Sequence, residues 1–181
     1  TDGSEPHEYS MLYRRPWVVK QSQTVKCATF KEGKQVRQTL VVPIQVTGIT
    51  GHNVLRSNSV ERRLVNGVRG SLKNTDGEWA FWKENDSISV TFDVGSRKRL
   101  GCVSLGYLND FGLGIHKPQK VEVWLSDNDV HYWKVSERVF ERDEVFSKGR
   151  FVKDLELKFE DVARYVRVIM KGAGKCPERH V

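Results

Sequence analysis

The chain has 181 residues, 30 of them Lys or Arg against 23 Asp or Glu, giving a formal net charge of +7, with 38% hydrophobic and 29% charged residues. That balance excludes a disordered chain, and apolar runs such as Thr39 to Ile44 fall far short of a membrane span. The excess charge raises an anionic partner. However, Arg14-Arg15, Arg62-Arg63 and Arg97-Lys98-Arg99 are short, distant clusters with acids between them, which reads as a solvated surface with no nucleic-acid groove.

In chain order, the opening Thr1-Asp2-Gly3-Ser4-Glu5-Pro6 reads as a turn inside a domain. It lacks the basic start and apolar stretch of a signal peptide. Asp2-Gly3 signals a hairpin turn with no strand before it, so a fragment of a longer protein is expected. Thr24 to Phe30 is β-rich and stops at the turn Lys31-Glu32-Gly33-Lys34, after which Val36 to Val42 resumes; the two predict a hairpin. Pro43, Gly48 and Gly51 then interrupt the pattern, and a domain boundary is placed at about residue 43, dividing the chain into 1–43 and 44–181. Ser59 to Val65 reads as a helical turn that begins after Asn58 and ends at Asn66-Gly67.

From there the pattern is strand after strand. Period-two alternation predicts strands over Ser87 to Gly95, Leu100 to Leu108, Lys120 to Ser126, Asp154 to Phe159 and Arg164 to Met170. Short strands bounded by Gly, Asp, Asn and Pro, with no long helical stretch between them, point to an all-β antiparallel sandwich. Cys27, Cys102 and Cys176 are too few and too scattered for a disulfide framework or zinc site. Cys27 and Cys102 sit in apolar stretches and read as small buried residues, and the compartment is left open by cysteine usage.

Two groups of motifs carry a resemblance. Thr1 to Pro6, Tyr13-Arg14-Arg15-Pro16 and Ser22 to Lys34 together resemble the small immunoglobulin-like domain that follows the barrel in chitobiases and related β-N-acetylhexosaminidases. Leu64 to Gly70, Asp76-Gly77-Glu78-Trp79, Ile88 to Gly95, Pro118 to Ser126 and Ala163 to Val168 occur in the order found in the coagulation factor five/eight type C (discoidin) domain. That fold is shared by the family 32 carbohydrate-binding modules. The spelling resembles the version attached to family 20 hexosaminidases. The resemblance implies a galactose-binding-like, eight-stranded jelly-roll sandwich after a partial immunoglobulin-like domain, with a last strand due beyond Cys176-Pro177, where the sequence stops at Val181. It further implies a non-catalytic glycan-binding module of a secreted hexosaminidase, with the catalytic domain upstream in cis. The alternative is a structural or protein-contact module without a sugar site.

Catalysis by such an enzyme needs an adjacent Asp-Glu in a setting that raises a pKa. Asp143-Glu144 is the one such pair here, and it lies in a charged connection without an evident aromatic floor, so no catalytic residue is assigned. Sugar binding needs an aromatic face ringed by donors and acceptors. In the segment Glu78 to Asp86, Trp79 is read as core and Trp82 as the candidate platform, with an edge-of-core position as its alternative. The second candidate is the loop 109–118, where Asn109, Asp110, Phe111 and His116 would surround a ring, against a plain surface loop with Phe111 and Ile115 tucked inward. The segment 171–180 is a third. No cofactor is required. The resemblance brings a structural calcium into question, against a plain polar loop as the alternative; Asn66, Asn74, Thr75 and Asp76 are the oxygen donors on hand, Asn66 standing where the family commonly has Asp.

Overall fold

A computed structural model describes residues 3–55, 62–82 and 87–176. The start of the expected helical turn (59–61), the end of the aromatic segment (83–86), Asp2 of the opening turn and residues 177–181 lie outside the described residues.

The described chain is almost entirely β. In the first part, β1 (Gln23–Cys27) pairs antiparallel with β4 (Leu40–Ile44), and β2 (Phe30–Lys31) pairs with β3 (Lys34–Gln35). This is the expected hairpin. Its turn places Glu32 and Gly33 at φ 50° and 74°, the left-handed pair that a tight β-turn of matching twist requires. An isolated bridge from Ile44 to Val68, with Gln45 N donating to Gly67 O at 2.6 Å, ties this part to the segment that leads into the main sheet. The helical turn is a 3-10 turn, Arg62–Val65, and Gly67 ends it at φ 78°.

The main sheet has five strands in the order β5 (Asn53–Leu55), β6 (Ser87–Asp110), β9 (Arg150–Lys171), β7 (Lys120–Ser126), β8 (Trp133–Val139). β6 and β9 are long because each joins two of the strands read from the sequence. Their register runs from Ser87↔Lys171 to Asp93↔Tyr165, breaks, and resumes from Lys98↔Ala163 to Asp110↔Arg150. Gly95, at φ 85°, marks the bend. Only the first half pairs with β5 and β7; the second half forms a two-stranded arm.

Alternation explains the packing. Val121, Val123 and Leu125 of β7 are fully buried, as are Val90 and Val94 of β6 and Ala163 of β9. They form one cluster with Leu155 and Leu157 from the distal arm, so the arm folds back over the sheet and a single core lies between the two layers. Because the ribbon doubles back, the loop after β6 and the C-terminal segment after β9 meet: a Cβ added to Gly114 would lie 3.9 Å from Cys176 Sγ. Cys27 and Cys102 are exposed, contrary to expectation. Cys102 takes the outward phase of its arm, while its neighbour Val103 and the alternate Leu105 turn toward the core; Cys27 sits at the end of a strand that only β4 covers. No helix among the described residues is long and apolar enough to cross a membrane.

Candidate functional site

The residues singled out above fall in the segment 66–82 and in the loop after β6; Arg150 Nη2 donates to Leu72 O between the two at 2.6 Å. Trp79 is buried as expected. Its Nε1 donates to Ser71 O at 2.9 Å, its carbonyl accepts from Arg63 Nη1 at 2.6 Å, and Gly70 lies against the indole. Trp82 is half-buried and packs on the core cluster, with a shielded Nε1 that finds no acceptor among the described residues. Beside it Phe81 is 50% exposed, a ring that the sequence gives no reason to single out.

The loop after β6 is more tightly built than its composition suggested. The Asn109 amide is buried and donates to Ser147 O and Gly149 O at 2.9 and 3.0 Å. Asp110 is also buried. One oxygen accepts from Leu113 N and the other meets Arg150 Nε at 2.9 Å, while its backbone exchanges two hydrogen bonds with Ile115. The 3-10 turn Phe111–Leu113 is thereby capped at its start, and Gly114 closes it in the left-handed region at φ 67°. Both polar candidates thus face inward and shape the loop. The rings of the loop are half-buried and pack together: Phe111 stands 6.0 Å from His116, edge to face at 75°, and His116, whose ring nitrogens are shielded from solvent, stands 4.9 Å from the buried Phe146 at 76°.

Phe146 ends the one-turn helix α1 (Arg142–Val145). Asp143-Glu144 lies in that helix, and Glu144 serves as a cap, accepting from Glu141 N at 3.2 Å. Contrary to expectation, Asp143 does have an aromatic neighbour. Phe146, a core residue only 8% exposed, reaches the lining of an open depression of about 450 Å³ whose remaining lining is Glu141, Arg142 and Asp143, with the Arg142 guanidinium 5.3 Å over the ring. Alongside, Lys117 is buried, with Nζ 3.9 Å over the Phe140 ring and 3.8 Å from Glu144; burial pulls its pKa below the usual lysine range. The signal for α1 was available as Glu141-x-x-Glu144, a capping-box spacing. Nothing in the sequence marks Lys117 as buried.

The calcium candidates sit in the loop 66–78. Asn66 Oδ1 accepts from Val68 N at 2.8 Å and its amide donates to Glu78 at 2.7 Å; Asp76 accepts from Ser71 N at 2.6 Å and Glu78 N at 2.9 Å. Burial works against the Asp76 charge, yet those hydrogen bonds hold its pKa below the usual range. Asn74 is half-buried and Thr75 exposed. The acceptor oxygens of Asn66 and Asp76 already hold backbone N–H groups that a cation would have to displace or share. The set as placed does not fit a six-to-eight-oxygen cage. No group of three or more His, Cys, Asp or Glu that could hold a metal occurs among the described residues.

The geometry defines a β-sandwich whose loop end carries rings and charges around an open depression. No protein-family model matches the chain, and no curated protein matches it. Solved structures do. A chitosan-binding module 2 in complex with chitotriose, derived from a chitosanase/glucanase of Paenibacillus sp. IK-5, is 14% identical and covers 70% of this chain and 88% of that one, with a TM-score of 0.45. The family 32 carbohydrate-binding module of Streptococcus pneumoniae EndoD is 14% identical, covering 72% and 88%, at 0.45. The C-terminal domain of a chitobiase from Bacteroides fragilis is 12% identical, covering 69% and 84%, at 0.42.

Proposed function

We propose that the chain is a non-catalytic carbohydrate-binding module that holds a secreted β-N-acetylhexosaminidase, whose catalytic domain lies elsewhere in the same polypeptide, near its glycan. One observation carries this: the open depression rimmed by Glu141, Arg142 and Asp143 over the largely buried Phe146, whose ring His116 meets edge to face. A pyranose offers an apolar C–H face and a ring of hydroxyls. Two carboxylates and a guanidinium can read the hydroxyls, and the part of Phe146 left at the surface supplies a small apolar contact. Such an open site implies weak, reversible binding.

Calorimetric titration with chitotriose and with a galactose-terminated disaccharide tests the reading. Saturable binding to the wild type is expected, weakened about tenfold or more in Arg142→Ala by loss of a charged hydrogen bond. Trp82→Ala probes the other candidate platform, and because Trp82 packs on the core, Phe81→Ala accompanies it as a variant at an exposed ring. Wild-type protein that binds neither sugar, or an Arg142→Ala that binds both unchanged, would refute the proposal.

A second reading applies to residues 1–43, which carry the immunoglobulin-like resemblance. Tyr9, Met11, Leu12, Tyr13 and Val18 are each at least 63% exposed there, more than a free surface usually leaves bare in one stretch. That favours contact of this part with another polypeptide. Crosslinking within a full-length parent tests it.

A further inference from the structure

At the free ends of the central strands, three residues form one straight rung on the outward face of the main sheet: Ser87 of β6 opposite Lys171 of β9, and Lys171 opposite Lys120 of β7. Like charges directly opposite on neighbouring strands repel, so this pairing is unfavourable unless an anion sits against it. The surroundings neutralise only one of the two lysines. Lys120 Nζ lies 2.5 Å from Glu122 and 3.3 Å from Glu137, which keeps its pKa above, and that of both carboxylates below, their usual ranges. Lys134 shares the same two carboxylates at 4.0 and 2.8 Å. Lys171 makes no ion pair with any described residue. Lys120 and Lys134 therefore share two carboxylates, and Lys171 stands outside that set as an exposed third ammonium.

The rung borders a second depression, of about 200 Å³, lined by Ser87, Lys120, Glu122, Ile169 and Lys171. Its chemistry is asymmetric. Ile169 offers an apolar patch two residues back along β9, opposite Glu122, whose carboxylate is engaged by Lys120 and by Trp124 Nε1 at 3.1 Å. Ser87 offers a hydroxyl, and Lys171 a charge with three donors and no partner among the described residues.

We propose that this rung is an anion subsite for an acidic sugar, one carrying a sulfate or a carboxylate, with Lys171 and Lys120 meeting the anionic group, Ser87 donating to it and Ile169 lying under the ring. The proposal rests on the glycan-binding reading for its class of ligand. It adds a site on the sheet face, apart from the depression at Phe146, and gives the module a preference for charged over neutral chains. A sugar is favoured over nucleic acid because cations here alternate with paired acids and an apolar patch, where a phosphate backbone would want a continuous basic track.

The test is calorimetric titration of the whole chain with four probes: a sulfated chondroitin tetrasaccharide, a galacturonate tetramer, neutral chitotriose and a single-stranded oligonucleotide. The two acidic sugars are expected to bind more weakly as salt rises, because the contact is ionic. Lys171→Ala is expected to weaken them about tenfold and Lys171→Glu further, by loss of one charged hydrogen bond and then by repulsion. Chitotriose binding is expected to stay unchanged in both variants. Because the Lys171 side chain has no described partner to lose, its removal should leave the melting curve in place, and Lys120→Gln serves as an independent second variant. If one acidic sugar binds and the other does not, the anion is that sugar's group and the subsite stands. Acidic sugars that bind the Lys171 variants as well as the wild type, or an oligonucleotide that binds as tightly as they do, would overturn the subsite. Loss of chitotriose binding in the wild type would instead strike the glycan-binding reading itself.

Discussion

Gly70 is where a single methyl group decides how the loop end packs. A Cβ there would collide with the six-membered ring of Trp79, whose Nε1 is tied to Ser71 O while Arg63 holds its backbone carbonyl. Gly70→Ala is therefore expected to lower unfolding stability by about 1–3 kcal/mol through overpacking, read from the urea midpoint. Gly3 and Gly77 meet nothing within 4 Å at the same construction, so they carry no such packing penalty. Asn109 makes a complementary point. Its amide satisfies the carbonyls of Ser147 and Gly149 from a buried position, and Asn109→Leu would leave both unmet, an expected loss of about 2–4 kcal/mol in the same assay. Asn in a glycine-rich loop reads as a surface ligand because composition does not say which way a side chain turns. Asn109 and Asp110 were legible as important, while their inward direction was not.

At the scale of elements, the strands with clean alternation were fully legible. β7 spans the predicted Lys120 to Ser126, and the four other predicted segments fall within β6 and β9. What alternation could not show is that two segments belong to one bent strand, since the bend lies in the break between them. β8 went unread because it is an edge strand whose sequence, WKVSERV, alternates poorly and slips past a bulge opposite Val123 and Trp124. The bend itself is clamped by Arg164, which grips Asp93 through two hydrogen bonds of 2.9 and 2.8 Å across β6 and β9. Arg164 holds the Asp93 pKa below the usual range. A depressed folded-state pKa stabilises above the unfolded value, near 3.8, and that stability is lost as pH falls through the folded value. Thermal melts should therefore hold from neutrality to about pH 5 and fall on the acid side. Asp93→Asn, expected to cost about 1 kcal/mol because Arg164 is partly solvent-screened, should show a shallower acid slope.

For the molecule as a whole, the layered all-β architecture followed from patterning alone, while the resemblance rested on five ordered motifs, three of which fall on β6, β7 and β9. The calcium expectation came from the resemblance only, and the loop 66–78 already has hydrogen bonds that hold it closed. Melts in EDTA and in millimolar calcium are expected to agree within about one degree; a rise of several degrees with calcium would reveal an ion bound to the native state. Arg69, Arg97, Arg99, Arg150 and Arg164 each face a carboxylate, so the excess of +7 resides on other cations of the chain. The doubled-back β6–β9 ribbon has a kinetic consequence. Its rungs join positions as remote as Ser87 and Lys171, so a long stretch of chain must be closed into a loop before the first of them forms. Refolding from denaturant is accordingly expected on a timescale on the order of milliseconds to seconds, with both leaves of the sandwich gaining protection against hydrogen exchange in the same phase.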